Sequence, residues 1–237
     1  MEDLAMEPTQ SDTFFDEAGD RRMEEQNVRN WAAIVDHISS ATESLPGRPW
    51  NVLDFGCHTG GLLRMLQSRP GIKPRSFAGV EPLKGPRSVA ERLFPGGNFF
   101  SSITDVPDEC CDVVVSHEAL YLVEDLPGWV RELKRILHPD GGAFIALGSH
   151  GENTAWLRWR EKLERLYGHV SRVHHPMEIL RQGEQAGFDM EIGHLHLRES
   201  GTRRYSHPED GWGEFDSVEE MLDFDRQKLL FVFYPKR

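Results

Sequence analysis

Val52-Leu53-Asp54-Phe55-Gly56-Cys57-His58-Thr59-Gly60-Gly61 decides the fold: an apolar run ends in an acid and passes into a glycine-rich turn. Beyond it Leu62, Leu63, Met65 and Leu66 recur at helical spacing, so the segment reads as strand, tight turn and helix N-terminus. Glycine lets the backbone turn sharply and approach a ligand, and a helix start offers unpaired N–H groups to negative charge. The following apolar run, Ser76 to Val80, ends in Glu81-Pro82. A carboxylate at the tip of a second strand accepts hydrogen bonds from both hydroxyls of a ribose diol and repels a 2′-phosphate. The interval from the glycine turn to Glu81 exceeds the roughly 20 residues of dinucleotide folds, and the loop Pro70 to Pro74 absorbs the excess.

These residues resemble the class I S-adenosylmethionine-dependent methyltransferases, whose first motif is an acid followed by three alternating glycines after a strand. Asp54, Gly56 and Gly60 fall on the acid and on the first and third glycines, while His58 stands at the middle glycine. A side chain there must turn away from the cofactor or contribute to its site. The order of later segments carries the resemblance further. Cys111 to His117 reads as an acid-led buried strand, followed by the loop Glu118 to Asp125. Trp129, Val130, Leu133, Ile136 and Leu137 then share a helical face, and Pro139-Asp140-Gly141-Gly142 reads as the turn before a fifth strand, Ala143 to Leu147. The resemblance spans about residues 50 to 147.

The fold it implies is α/β: a Rossmann-like, seven-stranded, mostly parallel sheet with helices on both faces and an antiparallel last strand. The implied cofactor is S-adenosyl-L-methionine, leaving as S-adenosyl-L-homocysteine. By resemblance Asp54, Gly56 and Gly60 form the turn at its methionine end, with His58 between them. Glu81 holds the ribose, Pro82 or Leu83 borders the adenine, and Ser102, Ile103 and Thr104 flank the ring. The acid common at the third strand's tip is missing unless Asp105 serves. Ser116 and His117 pass close to the methionine portion.

Composition bounds the alternatives. With 237 residues and 38% hydrophobic content, the chain closes one α/β domain with appended elements. The expected arrangement is an unstructured 1–12 and a single domain over 13–237. That domain has a cap helix within 13–45, a cofactor core at 50–147 and substrate-side additions at 148–187 and 199–225. Three cysteines, two of them adjacent at Cys110 and Cys111, give neither a disulfide framework nor zinc-ligand spacing, which points to a reducing, cytoplasmic setting. No apolar run reaches the length of a membrane span, and Met1-Glu2-Asp3 does not open a signal peptide. A net charge of −12 argues against a nucleic-acid partner, which needs a basic surface to neutralise phosphates.

The acceptor side is read from the additions. Val28, Trp31, Ala32, Val35 and Ile38 make an amphipathic helix that covers the sheet, with Phe14 and Phe15 ahead of it. Lys228 to Tyr234 reads as a buried last strand, and the long stretch Glu199 to Asp225 before it as a specificity insertion. Tyr205, Trp212 and Phe215 lie there among acids, a composition that fits either a cation site or a solvated loop. His174-His175 and His194-Leu195-His196 carry no accompanying carboxylates at a diagnostic interval, so no metal is expected. Methyl transfer from a sulfonium asks mainly for alignment, plus a base where the acceptor must lose a proton. His117 is the first candidate for that base, with Tyr121 and His150 next. The expectation is methyl transfer to an oxygen or nitrogen of a small molecule. The alternatives are an NAD-dependent oxidoreductase on a related sheet and a catalytically silent binding module.

Overall fold

The computed structural model describes residues 17–42, 50–69, 74–167, 171–196 and 217–237. The N-terminal residues 1–12, Phe14 and Phe15, and Tyr205, Trp212 and Phe215 of the insertion lie outside them. The elements run α1 Glu17–Thr42, β1 Trp50–Phe55, α2 Gly61–Ser68, β2 Pro74–Val80, α3 Lys84–Leu93, β3 Asn98–Phe100, β4 Cys111–His117 and α4 Leu126–Ile136. They continue with β5 Leu137–Leu147, α5 Thr154–Tyr167, α6 Pro176–Gln185, β6 Phe188–His194, α7 Val218–Arg226 and β7 Leu229–Pro235.

One seven-stranded sheet has the order β3-β2-β1-β4-β5-β7-β6. The strands from β3 to β5 pair in parallel, and β7 runs antiparallel to both β5 and β6. The expected Rossmann-like sheet with an antiparallel last strand is therefore the observed one. Strand alternation explains the two packed faces. Val52, Val113, Val115 and Phe144 point to the side covered by Trp31, Ile34, Val35 and Ile38 of α1 and by Leu62, Leu63 and Leu66 of α2. Their neighbours Leu53, Val114 and Ile145 point the other way, onto Trp129, Val130, Leu133 and Ile136 of α4 and Ile179 of α6. Val28, expected on the apolar face of α1, is 46% exposed.

Local chemistry sets the element ends. Asp125 caps α4 by accepting the Gly128 N–H at 2.9 Å, with Pro127 in the first turn where a missing donor costs nothing. Pro139-Asp140-Gly141-Gly142 differs from the expected turn: α4 ends at Ile136 and β5 begins at once with Leu137. His138 to Gly141 make a register irregularity opposite Asp112, between the pairs Cys111–Leu137 and Val113–Gly142. A Cβ on Gly141 would stand 2.6 Å from the Asp112 carbonyl oxygen, so the bulge closes against β4 only with glycine.

Because β1, β2 and β4 are parallel neighbours, their carboxyl ends emerge along one edge. The strand order reverses between β1 and β4, so a crevice opens where open α/β sheets place their ligands. The last residue of β4 is His117, and the residues just past β1 and β2 are Gly56 and Glu81.

Candidate active site

A cavity at this edge runs from the tips of β1 and β2 to the space between β4, α5 and α7. At the β1–β2 end Asp54 is 2% exposed and lines the cavity, yet its carboxylate accepts no hydrogen bond from any described residue. Burial, and then the nearby Glu81 charge, hold its pKa well above the ordinary carboxylate value. Glu81 is also buried, and burial raises its pKa too, against two backbone donors. Its Oε2 accepts the His58 N–H at 3.1 Å and its Oε1 the Leu83 N–H at 2.8 Å. Each oxygen has a second lone pair left for a ligand hydroxyl.

The turn between these acids is built to approach a ligand closely. A Cβ on Gly56 would stand 2.3 Å from the Ala119 Cβ, and Gly60, at φ +86°, starts α2 in a conformation that favours glycine. His58 takes the left-handed backbone of a glycine, at φ +47°, and this aims its N–H at Glu81. Its imidazole turns to α1, where Nε2 lies 3.4 Å from an Asp20 carboxylate oxygen. Burial lowers its pKa although Glu81 and Glu24 oppose that. Further contacts tie α1 to the same turn: Thr59 donates to Glu24 at 2.8 Å, Arg64 pairs with Glu24, and the Trp31 ring covers Gly61. A side chain at the middle glycine position thus serves as a contact for the covering helix.

The other end of the cavity centres on a buried lysine. Lys228, one residue before β7, is 2% exposed. Its ammonium pairs with Glu118 and donates to His117 Nε2 at 3.3 Å. Glu118 also accepts the Gly148 N–H at 2.8 Å and the Ser149 N–H at 3.2 Å. Its backbone is left-handed at φ +52°, a turn that brings the carboxylate under the end of β5. Desolvation raises the Glu118 pKa, but the Lys228 charge and these hydrogen bonds prevail and hold it at about 2. Burial, joined by the Lys228 charge, lowers the His117 pKa to about 3. His117 is a neutral imidazole whose Nε2 lone pair is already engaged.

Aromatic rings form the rest of this wall. The Tyr121 ring meets that of Trp156 at a tilt with centroids 5.3 Å apart, Trp156 meets Trp159 at 5.9 Å, and Trp159 meets Phe224 at 5.9 Å. Asn153, fully buried, fixes their elements: its oxygen accepts the Ala155 and Trp156 N–H groups at the start of α5, and its nitrogen donates to the Gly148 and Phe224 carbonyls. Burial, and then Glu118, push the Tyr121 phenol up, so it stays protonated near neutral pH.

Of the residues singled out from sequence, Asp54, Gly56, His58, Glu81, His117 and Tyr121 line this cavity together. Gly60 lies behind its turn. Ser116 is fully buried and donates to the Phe55 carbonyl at 2.8 Å, tying β4 to β1. Ser102 accepts the Thr104 N–H at the head of the short 3-10 turn that holds Ile103, and Pro82 is exposed; none of these four lines the cavity. His150 stands behind the wall. Its Nδ1 accepts the Glu152 N–H at 3.3 Å and its Nε2 lies 2.8 Å from the Gln227 carbonyl, so the neutral ring with Nε2–H satisfies both. His174 contacts the Val123 carbonyl, and the His194 and His196 rings lie 6.4 Å apart. Among the described residues no three His, Cys, Asp or Glu side chains gather as a metal site. Sequence reading missed Glu118, Lys228, Trp156, Trp159 and Phe224 as site residues. The one signal was a lysine heading an otherwise apolar strand.

A seven-stranded sheet whose order reverses beside β1, with acids at the tips of β1 and β2, a glycine turn after β1 and an antiparallel β7, is a class I methyltransferase fold. The model of a methyltransferase-domain family matches residues 21–191, and the chain belongs to that family of S-adenosylmethionine-dependent enzymes. A malonyl-[acyl-carrier protein] O-methyltransferase from Brevibacillus brevis is 26% identical over 219 residues, 83% of this chain and 77% of that protein. One from Halorhodospira halophila is 30% identical over 125 residues, 48% of this chain and only 40% of its own length. A chain of the Haloferax volcanii complex between the Trm112 methyltransferase activator and a methyltransferase shares the fold. Its TM-score is 0.73 at 20% identity, covering 93% of this chain and 94% of that one. No helix among the described residues is long and apolar enough to cross a membrane.

Proposed function

We propose that the protein transfers a methyl group from S-adenosylmethionine to a small-molecule acceptor in the cytoplasm, and that oxygen is the acceptor atom. The observation that carries the reading is the Asp54 carboxylate, buried in the cavity wall without a hydrogen-bond donor, beside a second buried acid. Such a pair fits a cationic ligand that also carries a diol. The donor, when bound, supplies a methyl group already activated on a sulfonium. Asp54 takes the positive methionine end, Glu81 the ribose, and Gly56 and Gly60 keep the backbone close. His58 contributes its N–H to Glu81, and its ring holds α1 over the turn. Ser116 sets the β1–β4 spacing. Pro82, Ser102 and Ile103 act at most as the outer border of the adenine. His117 faces the acceptor as a neutral group that fixes orientation, with Tyr121 beside it, and His150 braces the wall through Gln227.

The named O-methyltransferases among the relatives favour oxygen over nitrogen. The solved complex with an activator makes a protein partner for this chain a second, independent question. Titration calorimetry with S-adenosylmethionine, S-adenosylhomocysteine, NAD and NADP tests the reading. Saturable binding of the first pair alone supports it, and binding of NAD alone replaces it with the oxidoreductase.

A further inference from the structure

We propose that the methyl acceptor is a carboxylic acid with an apolar body, held as its carboxylate by Lys228, and that it is methylated to an ester without a proton acceptor from the protein. This rests on the methyl-transfer reading above. An ammonium has three N–H donors. Two of those on Lys228 go to Glu118 and His117. The third has no partner among the described residues, although Lys228 lines the cavity and is 2% exposed. Its other neighbour is the face of the Phe224 ring, 5.5 Å from Nζ. The Lys228 charge is balanced by Glu118, so what is unfilled is one buried N–H of an ammonium, and an oxygen of a bound carboxylate completes it with a charge-assisted hydrogen bond.

Among the described residues of this wall, no histidine or tyrosine is placed to take a proton from the acceptor. An alcohol or an ammonium must give up a proton before it can attack, whereas a carboxylic acid is already ionised at neutral pH. His117 has its lone pair occupied by Lys228 and a pKa near 3, too low to hold a proton at neutrality. Two amides and the ammonium take three acceptor sites of Glu118 and hold its pKa at about 2, and Tyr121 keeps its own proton. His150 faces away with both nitrogens engaged. Asp225, at the end of α7, also lines the cavity and is the group an amine would choose, so an amine acceptor is the rival.

The step balances without a proton. A lone pair of the carboxylate oxygen forms the bond to the methyl carbon as the carbon–sulfur bond breaks, and that pair leaves on sulfur. Sulfonium and carboxylate charges vanish together, leaving a neutral ester and a neutral thioether. The ester has lost the charge that Lys228 held, which favours its release. Trp156, Trp159 and Phe224 offer the body of the acid apolar surface.

The test titrates 3-phenylpropanoate, its methyl ester and 3-phenylpropylamine into protein saturated with S-adenosylhomocysteine. The expected result is the acid bound at least about 10-fold more tightly than the other two, with Lys228→Met removing that preference while homocysteine-adduct affinity stays within about threefold. Because Lys228→Met leaves Glu118 unpaired, the double variant Lys228→Met/Glu118→Gln, which removes both charges, is measured beside it. Equal or tighter binding of the amine, no binding of the acid, or an acid preference that survives in both variants overturns the proposal. Failure to saturate with S-adenosylhomocysteine overturns the methyl-transfer reading itself, before any acceptor is added.

Discussion

Two carboxylates in one cavity receive opposite treatment. Asp54 at the donor end has no donor facing it and its pKa is driven up, whereas Glu118 at the acceptor end collects two amides and an ammonium and is held at about 2. Desolvation acts on both in the same direction, so the difference is the company each keeps. The donor end holds an uncompensated acid that a cationic ligand would complete. The acceptor end is internally neutralised, with one ammonium donor to spare. A donor site of this kind gains its stability from its ligand, and an acceptor site of this kind keeps its geometry without one.

Breaking the acceptor-end pair has the largest expected effect. Lys228→Met strands Glu118 and should cost about 3–5 kcal/mol in urea unfolding, and adding Glu118→Gln should recover most of it, as expected when a buried ion pair is replaced rather than halved. Glu81→Ala should weaken S-adenosylhomocysteine binding about 10- to 100-fold by calorimetry, since it removes hydrogen bonds to a charged group. The two ends also pull the pH dependence of stability in opposite directions. Raised donor-end carboxylates bind protons more readily folded than unfolded, so stability falls as pH rises through their elevated pKa. Glu118 and His117 are depressed, so the unfolded chain binds more protons below about pH 6.5 and stability falls as pH drops toward their folded values near 2 and 3. S-Adenosylhomocysteine, with an ammonium for the ionised form of Asp54, should therefore raise the Tm less as pH is lowered through the range in which Asp54 takes up its proton, followed by thermal scans across a pH series. The smallest effect is expected from His58→Gly. Glycine keeps the left-handed backbone that points the N–H at Glu81, so adduct affinity should change less than about threefold, with the loss confined to the contact with α1.

The same contrast explains what the sequence disclosed. The acids and glycines of the donor end come from two strand–turn segments, residues 52–61 and 76–83, so acid, glycine and helix start could be read in order, while α1 closes over them from outside those segments. His58 was the ambiguous residue, because the direction of its side chain depends on a φ that no spacing encodes. The acceptor end is assembled from residues more than 100 positions apart, Glu118 and Lys228, and neither belongs to a local pattern. Lys228 heads a run of apolar residues and reads from sequence only as part of the buried last strand. His150 drew attention as a histidine past a strand end, yet backbone groups on both sides engage its ring. Pro139 to Gly142 has turn composition, but the pairing of β5 with β4 absorbs it as a bulge, a tertiary effect that overrides local preference.

The most direct test of this electrostatic division is an NMR titration of the His117 imidazole in protein labelled with 15N-histidine, assigned with His117→Gln. The expected result is the nitrogen shifts of a neutral ring from pH 8 down to pH 5, with protonation only near 3, where burial and Lys228 place it. Titration of His117 near the ordinary value of about 6.5 would overturn this division, because the imidazole would then be a competent base and Lys228 would not be holding its lone pair.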